Sequence, residues 1–339
     1  MRPPTDPAIF YDLPALLDLH AALESLDPAG PPQALALHPP GQGERATGRR
    51  AAVLPGSFNP FHLGHVELAA VALADEGADE VWFGLSQVTV DKEQVTGACL
   101  EDRLLVLRHS IRESPRYGVA LFNRGLYVEQ ARAAHTLWPD LDELLFLVGF
   151  DKIVQVFDPR YYDDRDTALR QLFSLAVFLV APRVGATERD LAELLAVPAN
   201  QPFADGVRYL PLPTSVRQVS STAARRTLAT PEADRAAAAL AATATALVEA
   251  TGAYATAQPV GDEAVDRYAL RRSLLAALFR DRDWALAHAN LRTLMAVAVQ
   301  ETPAGHTLRA ALEALDRPLP PDEMRRVIQA VQESGQRPP

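Results

Sequence analysis

Between residues 51 and 210, short and nearly unbroken apolar runs recur at intervals long enough to hold a helix. No other feature restricts the fold of this chain as much. The runs lie at 51–54, 81–85, 119–122, 144–148, 175–180 and 207–210. Strands that are apolar along their whole length, rather than at alternate positions, belong to a parallel sheet buried on both faces. The intervening segments carry helical periods. Residues 65–76 form one such segment, stopped by Gly77, and Leu100, Leu104, Leu107 and Ile111 fall on one helical face of another.

The pattern predicts an α/β fold, a Rossmann-like parallel sheet with helices on both faces. Ligands of such sheets bind at the carboxyl ends of the strands where the strand order reverses, so the loop after the first strand, 55–65, is the first place to look. Residues 1–50 are expected to form an N-terminal helix, centred on the amphipathic stretch 13–26, followed by a Pro/Gly-rich linker through Pro40, Gly41 and Gly43. Residues 51–258 would form the sheet domain. From about residue 230 the chain turns Ala-rich, with helical segments expected at 233–250, 264–280, 284–300 and 308–315. Residues 259–339 would then be a helical C-terminal extension, packed on the sheet domain or offering a surface to a second copy or another partner.

Composition narrows the function classes. A net charge of −10 disfavours a general nucleic-acid surface, so any polyphosphate must be held by a locally positive site. The single cysteine, Cys99, excludes an intrachain disulfide and a Cys-rich zinc site and fits a reducing, cytoplasmic setting. The apolar runs are far too short to span a bilayer, so no membrane role is expected. Only Lys92 and Lys152 are lysines, which makes the position of each worth noting.

Chemistry concentrates in two segments. Gly56-Ser57-Phe58-Asn59-Pro60-Phe61-His62-Leu63-Gly64-His65 follows a strand and opens a helix, so its backbone N–H groups can face an anion. Gly56 and Gly64 permit close backbone approach, and His62 and His65 add two imidazole donors. Zinc binding by these two histidines lacks further ligands nearby. The second segment is Val219-Ser220-Ser221-Thr222-Ala223-Ala224-Arg225, in which hydroxyls at a helix start can cap free N–H groups and Arg225 can present a guanidinium fork to phosphate oxygens. No Walker A sequence is present, and Gly41-Gln42-Gly43 follows no strand and lacks the third glycine of a dinucleotide-binding turn.

The first segment resembles the HxGH signature of the nucleotidyltransferase superfamily. Its Gly-Ser-Phe-Asn-Pro-Phe-His opening is similar to that of nicotinate and nicotinamide mononucleotide adenylyltransferases. Val219 to Arg225 resembles that family's Ile-Ser-Ser-Thr-x-Ile-Arg motif, with Ala224 in place of the Ile. The stretch from Leu85 through Lys92 to Arg103 is similar to the second-strand loop and following helix of the bacterial enzymes, where a basic residue approaches the phosphates. Leu145 to Lys152 resembles their strand ending in Gly-x-Asp, which makes Gly149 and Asp151 candidates for the nucleotide ribose. Asp151 is equally suited to capping the next helix.

The resemblance spans about residues 51–230. It implies transfer of AMP from ATP to a pyridine mononucleotide, with release of pyrophosphate and formation of a dinucleotide. It assigns His62, His65 and Arg225 to catalysis. It assigns Gly56, Ser57, Phe58, Lys92, Arg103, Gly149, Asp151, Ser220, Ser221 and Thr222 to substrate binding. Mg2+ would arrive bridged by the ATP phosphates and water, since the sequence offers no dedicated metal cage. The acceptor region departs from the family: Leu126-Tyr127-Val128 replaces a Ser-Tyr-Thr run, and the segment from Phe157 to Tyr162 replaces a tryptophan-containing stretch. Two alternatives therefore stay open, an adenylyl- or cytidylyltransferase with another phosphorylated acceptor, and a non-catalytic nucleotide-binding sensor or scaffold.

Overall fold

The computed structural model describes residues 5–41, 48–74, 76–88, 97–182, 186–212, 220–230 and 232–313. Its helices, in chain order, are α1 (Leu13–Glu24), α2 (Leu63–Ala74), α3 (Leu100–Ile111), α4 (Tyr127–Leu137), α5 (Phe150–Phe157), α6 (Arg165–Leu175), α7 (Glu188–Ala196), α8 (Ser221–Leu228), α9 (Ala233–Ala237), α10 (Ala242–Thr251), α11 (Arg267–Arg280), α12 (Arg282–His288), α13 (Leu291–Ala298) and α14 (Pro303–Glu313). The chain divides into two compact units. A sheet unit comprises Ala22–Thr96 and Leu107–Ala224, and a helical unit comprises Met1–Ala21, Gly97–Val106 and Arg225–Pro339.

The sheet unit holds seven strands: β1 (Ala34–His38), β2 (Arg49–Pro55), β3 (Glu80–Ser86), β4 (Tyr117–Phe122), β5 (Leu141–Gly149), β6 (Val177–Ala181) and β7 (Val207–Tyr209). They lie in the order β1-β4-β3-β2-β5-β6-β7. Every neighbouring pair is parallel except β1 with β4. The Rossmann-like α/β architecture expected from the apolar runs is therefore the one observed. From β2 the chain first builds outward through β3 and β4, then returns to the other side of β2 with β5. The carboxyl ends of β2 and β5 thus flank the switch point, where such sheets leave a crevice.

The core follows from the strand composition. Ala51, Val53, Phe146 and Phe178 are fully buried and Trp82 nearly so, in one cluster with Trp138 and Ile153. Successive residues of β2 and β5 are buried alike, as a sheet covered on both faces demands. At about 25 cal/mol per Å2, each fully buried large apolar side chain contributes roughly 1.5–3 kcal/mol.

In the sheet unit, one segment departs from the sequence reading. Residues 34–38 are not linker: Ala34-Leu35-Ala36-Leu37-His38 adds to the open side of β4 as an antiparallel edge strand. Buried Asn123 fastens the approach to it. Its Oδ1 accepts from the Gln33 N–H at 2.8 Å, and its Nδ2 donates to the carbonyls of Asp27 and Pro31 at 2.7 and 2.8 Å.

The helical unit is broken more often than its Ala-rich sequence suggests. The expected helix 233–250 is interrupted between α9 and α10, where Leu240 and Ala241 turn inward. A hairpin of β8 (Gln258–Val260) and β9 (Glu263–Val265) takes the start of the expected helix 264–280, and Asp266 then caps α11 by accepting from the N–H groups of Tyr268 and Ala269, both at 2.9 Å. The segment 284–300 is split by Asn290, which caps α13. Residue 315, the end of the last expected helix, lies outside the described residues. Among the described residues no helix is long and apolar enough to cross a membrane.

Candidate active site

The turn between β2 and α2 is built by close approach. The Gly56 N–H donates to the Gly84 carbonyl of β3 at 3.0 Å, and a Cβ at position 56 would stand 3.1 Å from the Phe58 ring. Phe58 has φ 46°, a left-handed conformation that a side chain of this size rarely adopts. Its ring is held edge-on against His65, Phe61 and Phe83, with centroids 5.1, 5.9 and 5.9 Å away. The Asn59–Pro60 bond that follows is cis.

This backbone brings the two histidines together. The imidazoles of His62 and His65 stack at 3.6 Å between centroids, and Phe61 stacks on His65 at 5.5 Å. The His65 N–H donates to the His62 carbonyl at 3.0 Å. The His62 N–H in turn donates to Nδ1 of His65 at 3.2 Å. Because Nδ1 acts as the acceptor, the neutral ring carries its proton on Nε2, and His65 is assigned as an Nε2–H donor. His62 is 6% exposed and His65 half-buried, so both imidazoles sit where solvent screening is reduced.

Helix α8 meets the same turn at its first residue. The Ser221 hydroxyl donates to the Pro60 carbonyl at 3.0 Å, and the Ser220 Oγ accepts from the Ala223 N–H at 3.2 Å, capping the helix. Ser221 is half-buried and Thr222 exposed. Across the switch point, Gly149 ends β5 and serves as the N-cap position of α5, and Asp151 lies exposed in that helix's first turn. The geometry therefore gathers Gly56, Ser57, Phe58, His62, His65, Ser220 and Ser221 around one turn, with Gly149 and Asp151 at the end of the neighbouring strand.

Lys92 is outside the described residues. Arg225, one turn into α8, and Arg103, in the first turn of α3, belong to the helical unit. There Arg103 is 8% exposed, and burial draws its guanidinium below the usual arginine range. Burial raises the Tyr254 hydroxyl, while Arg103 and Arg225 both pull it downward, so the two guanidiniums share that hydroxyl as a neighbour.

In the acceptor region, Tyr127 packs edge-on against Phe146 and Phe178, at 5.3 and 5.5 Å. Burial raises its hydroxyl pKa, and the Asp151 carboxylate adds to the effect. Gln130 donates to the Ser86 hydroxyl at 2.9 Å, linking α4 to the end of β3. Neither Gln130 nor the Ser221–Pro60 contact was visible from motif matching, because each depends on which strand ends meet. Among the described residues, no group of three or more His, Cys, Asp or Glu is placed to hold a metal ion.

Fold and turn together define the class. A helix-opening turn at a switch point is where sheets of this kind present backbone donors to a ligand. The chain belongs to the cytidylyltransferase-like family, whose model matches residues 53–226. It is 30% identical over 187 residues to a Bacteroides fragilis protein named "Probable nicotinate-nucleotide adenylyltransferase", covering 53% of this chain and 83% of that one. A Frankia alni protein of the same name is 33% identical over 150 residues, covering 43% and 73% of the two chains. A solved Plasmodium falciparum nicotinic acid mononucleotide adenylyltransferase in complex with NaAD is 15% identical, with a TM-score of 0.45; it covers 59% of this chain and 95% of its own. That likeness is too distant for the site to be read from it.

Proposed function

We propose that this protein is a nucleotidyltransferase that moves AMP from Mg-ATP to nicotinate or nicotinamide mononucleotide. An oxygen of the acceptor's phosphate attacks the α-phosphorus in line, and the bond from that phosphorus to the bridging oxygen of the β-phosphate breaks. Pyrophosphate leaves and a dinucleotide remains. No protein nucleophile is needed: alignment and charge neutralisation carry such transfers.

The observation that carries this reading is the stacked His62 and His65 pair on the turn after β2, with the His65 proton assigned to Nε2. Donors fixed in this way stabilise charge developing on the α- and β-phosphates. Ser220, Ser221, Thr222 and Arg225 are assigned to the β- and γ-phosphates, with Lys92 and Arg103 adding positive charge. Gly56, Ser57 and Phe58 shape the cradle, and Gly149 and Asp151 are assigned to the ribose. Mg2+ would arrive with the substrate, held by phosphate oxygens and water, and would supply positive charge against the leaving pyrophosphate. The named relatives support a pyridine mononucleotide as acceptor, and the lone Cys99 fits work in the cytoplasm.

A second acceptor class is favoured by one observation: Leu126 stands where the family has a hydroxyl, at the N-cap of α4. The test is pyrophosphate release from Mg-ATP with each pyridine mononucleotide separately, with phosphopantetheine and CTP as controls. The expected result is release that depends on a pyridine mononucleotide, with the dinucleotide seen by mass. Release only with phosphopantetheine or another phosphorylated acceptor would overturn the pyridine assignment. Binding of ATP without any release would overturn catalysis.

A further inference from the structure

The helical unit contains a charge cluster that the proposed chemistry does not use. Asp102, at the third position of α3, is 0% exposed. An aspartate there could cap its own helix, yet its carboxylate is engaged by α11. Arg271 grips it through two bonds, Nη2 to Oδ1 at 2.7 Å and Nε to Oδ2 at 3.0 Å, and Arg271 is itself 0% exposed. The Tyr268 hydroxyl donates to Oδ2 at 2.7 Å and accepts the Cys99 N–H at 2.9 Å, satisfying a backbone donor at the helix start.

The residue before Asp102 is fastened as well. Glu101 binds Nδ1 of His20 at 2.8 Å, and the His20 ring stacks on Phe279 of α11 at 4.1 Å. Tyr268, Arg271 and Phe279 follow helical spacing on one face of α11; the first two meet the start of α3 directly, and Phe279 reaches it through His20. The next residue in that turn is Arg103. A fully buried ion pair is a weak way to gain stability, because apolar residues of similar volume do as well or better; its better-attested use is to fix one arrangement.

We propose that Asp102 and Arg271 are positioning residues: α11 locks the first turn of α3, and with it the backbone that carries Arg103, in the one arrangement from which that guanidinium binds a phosphate-bearing ligand. The inference rests on the reading of Arg103 as a phosphate ligand. It gives the C-terminal extension a role in substrate binding that is indirect and acts through one turn of helix.

The test is a double-mutant cycle on the full chain, read by calorimetry as equilibrium binding of Mg-ATP and of nicotinate mononucleotide separately. Arg103→Lys is expected to weaken one of the two ligands about tenfold, the scale of a lost charge-assisted bond. Arg271→Lys keeps the charge but loses the fork, and is expected to weaken the same ligand and spare the other. The double variant should bind within about twofold of Arg103→Lys alone, because both changes disable one guanidinium.

Tyr268→Phe, which removes a single hydroxyl, should show the same ligand preference and covers the case in which Arg271→Lys does not fold. Losses that multiply in the double variant, or that fall equally on both ligands, would make the cluster merely structural and overturn the proposal. If the unaltered chain binds both ligands and Arg103→Lys changes neither, the proposal fails while the functional reading stands. If it binds neither, both fail together.

Discussion

Substitution of His65 separates two jobs that one ring performs. Nδ1 accepts the His62 N–H at 3.2 Å and so shapes the turn, while the proton assigned to Nε2 is the one that the proposed function directs at phosphate. Asparagine places its side-chain oxygen near the Nδ1 position and lacks a group at Nε2; glutamine reaches the Nε2 position with an amide N–H. His65→Asn is therefore expected to keep the turn and lose the donor. One preorganised donor facing developing charge is worth about 10²–10³ in kcat, or roughly 2.7–4 kcal/mol. The expected result for His65→Asn is a fall in kcat of that size with KM for Mg-ATP changed less than about threefold, because the loss is confined to the transition state. His65→Gln should lose about tenfold, an order-of-magnitude figure for a misaligned but present donor. Steady-state pyrophosphate release, with melting temperatures to check the fold, makes the measurement. A kcat for His65→Asn within twofold of the unaltered protein, or one above that of His65→Gln, would refute the tautomer argument.

Ser221→Ala removes the bond to the Pro60 carbonyl at 3.0 Å; it should raise KM for Mg-ATP about fivefold, the equivalent of roughly 1 kcal/mol, and an unchanged KM would detach α8 from phosphate binding. Gly118→Ala puts a Cβ 2.6 Å from the Trp82 ring and 2.9 Å from Pro40, so urea unfolding should show a loss of about 1–3 kcal/mol, and an unchanged midpoint would contradict the packing. Hydrogen bonds from the Thr187 hydroxyl and N–H, at 2.6 and 2.7 Å, hold the Asp190 carboxyl below its usual range. A lowered folded pKa contributes stability that is complete above the unfolded value of about 4 and is lost as pH falls through the lowered one. Asp190→Asn should therefore flatten the melting temperature against pH below about pH 4, and curves of identical slope would refute the assignment.

The sheet was legible because its central strands are apolar on both faces, a pattern that burial alone enforces. The turn at 56–65 was legible because glycines and histidines in a strand-to-helix setting have few other uses. What stayed hidden depends on contacts distant in sequence. Strand β1 has only five residues, four half-buried and one exposed, beside a Pro/Gly-rich stretch, and its pairing with β4 is secured by Asn123, some ninety residues away. The breaks in the Ala-rich helices have the opposite cause. Alanine favours helix almost everywhere, so helix ends are set by caps such as Asp266 and Asn290 and by which side chains find a core. The role of Asp102 was equally opaque, since its partners Tyr268 and Arg271 lie more than 160 residues downstream.

Strand β1 bears on how the protein can be cut. A fragment trimmed to the family-matching stretch, 53–226, would keep the turn at 56–65 and discard both β1 and the start of β2. The outer side of β4, from Tyr117 to Phe122, would then offer an open row of N–H and C=O groups flanked by Val119, Leu121 and Phe122, the kind of edge onto which a second chain adds itself. β1 occupies that edge as a guard: it is short, half-exposed and irregular in register between Ala36 and His38, and so is itself a poor template for further strands. Solubility of the sheet is thus bound up with a stretch of chain that lies outside the family-matching residues.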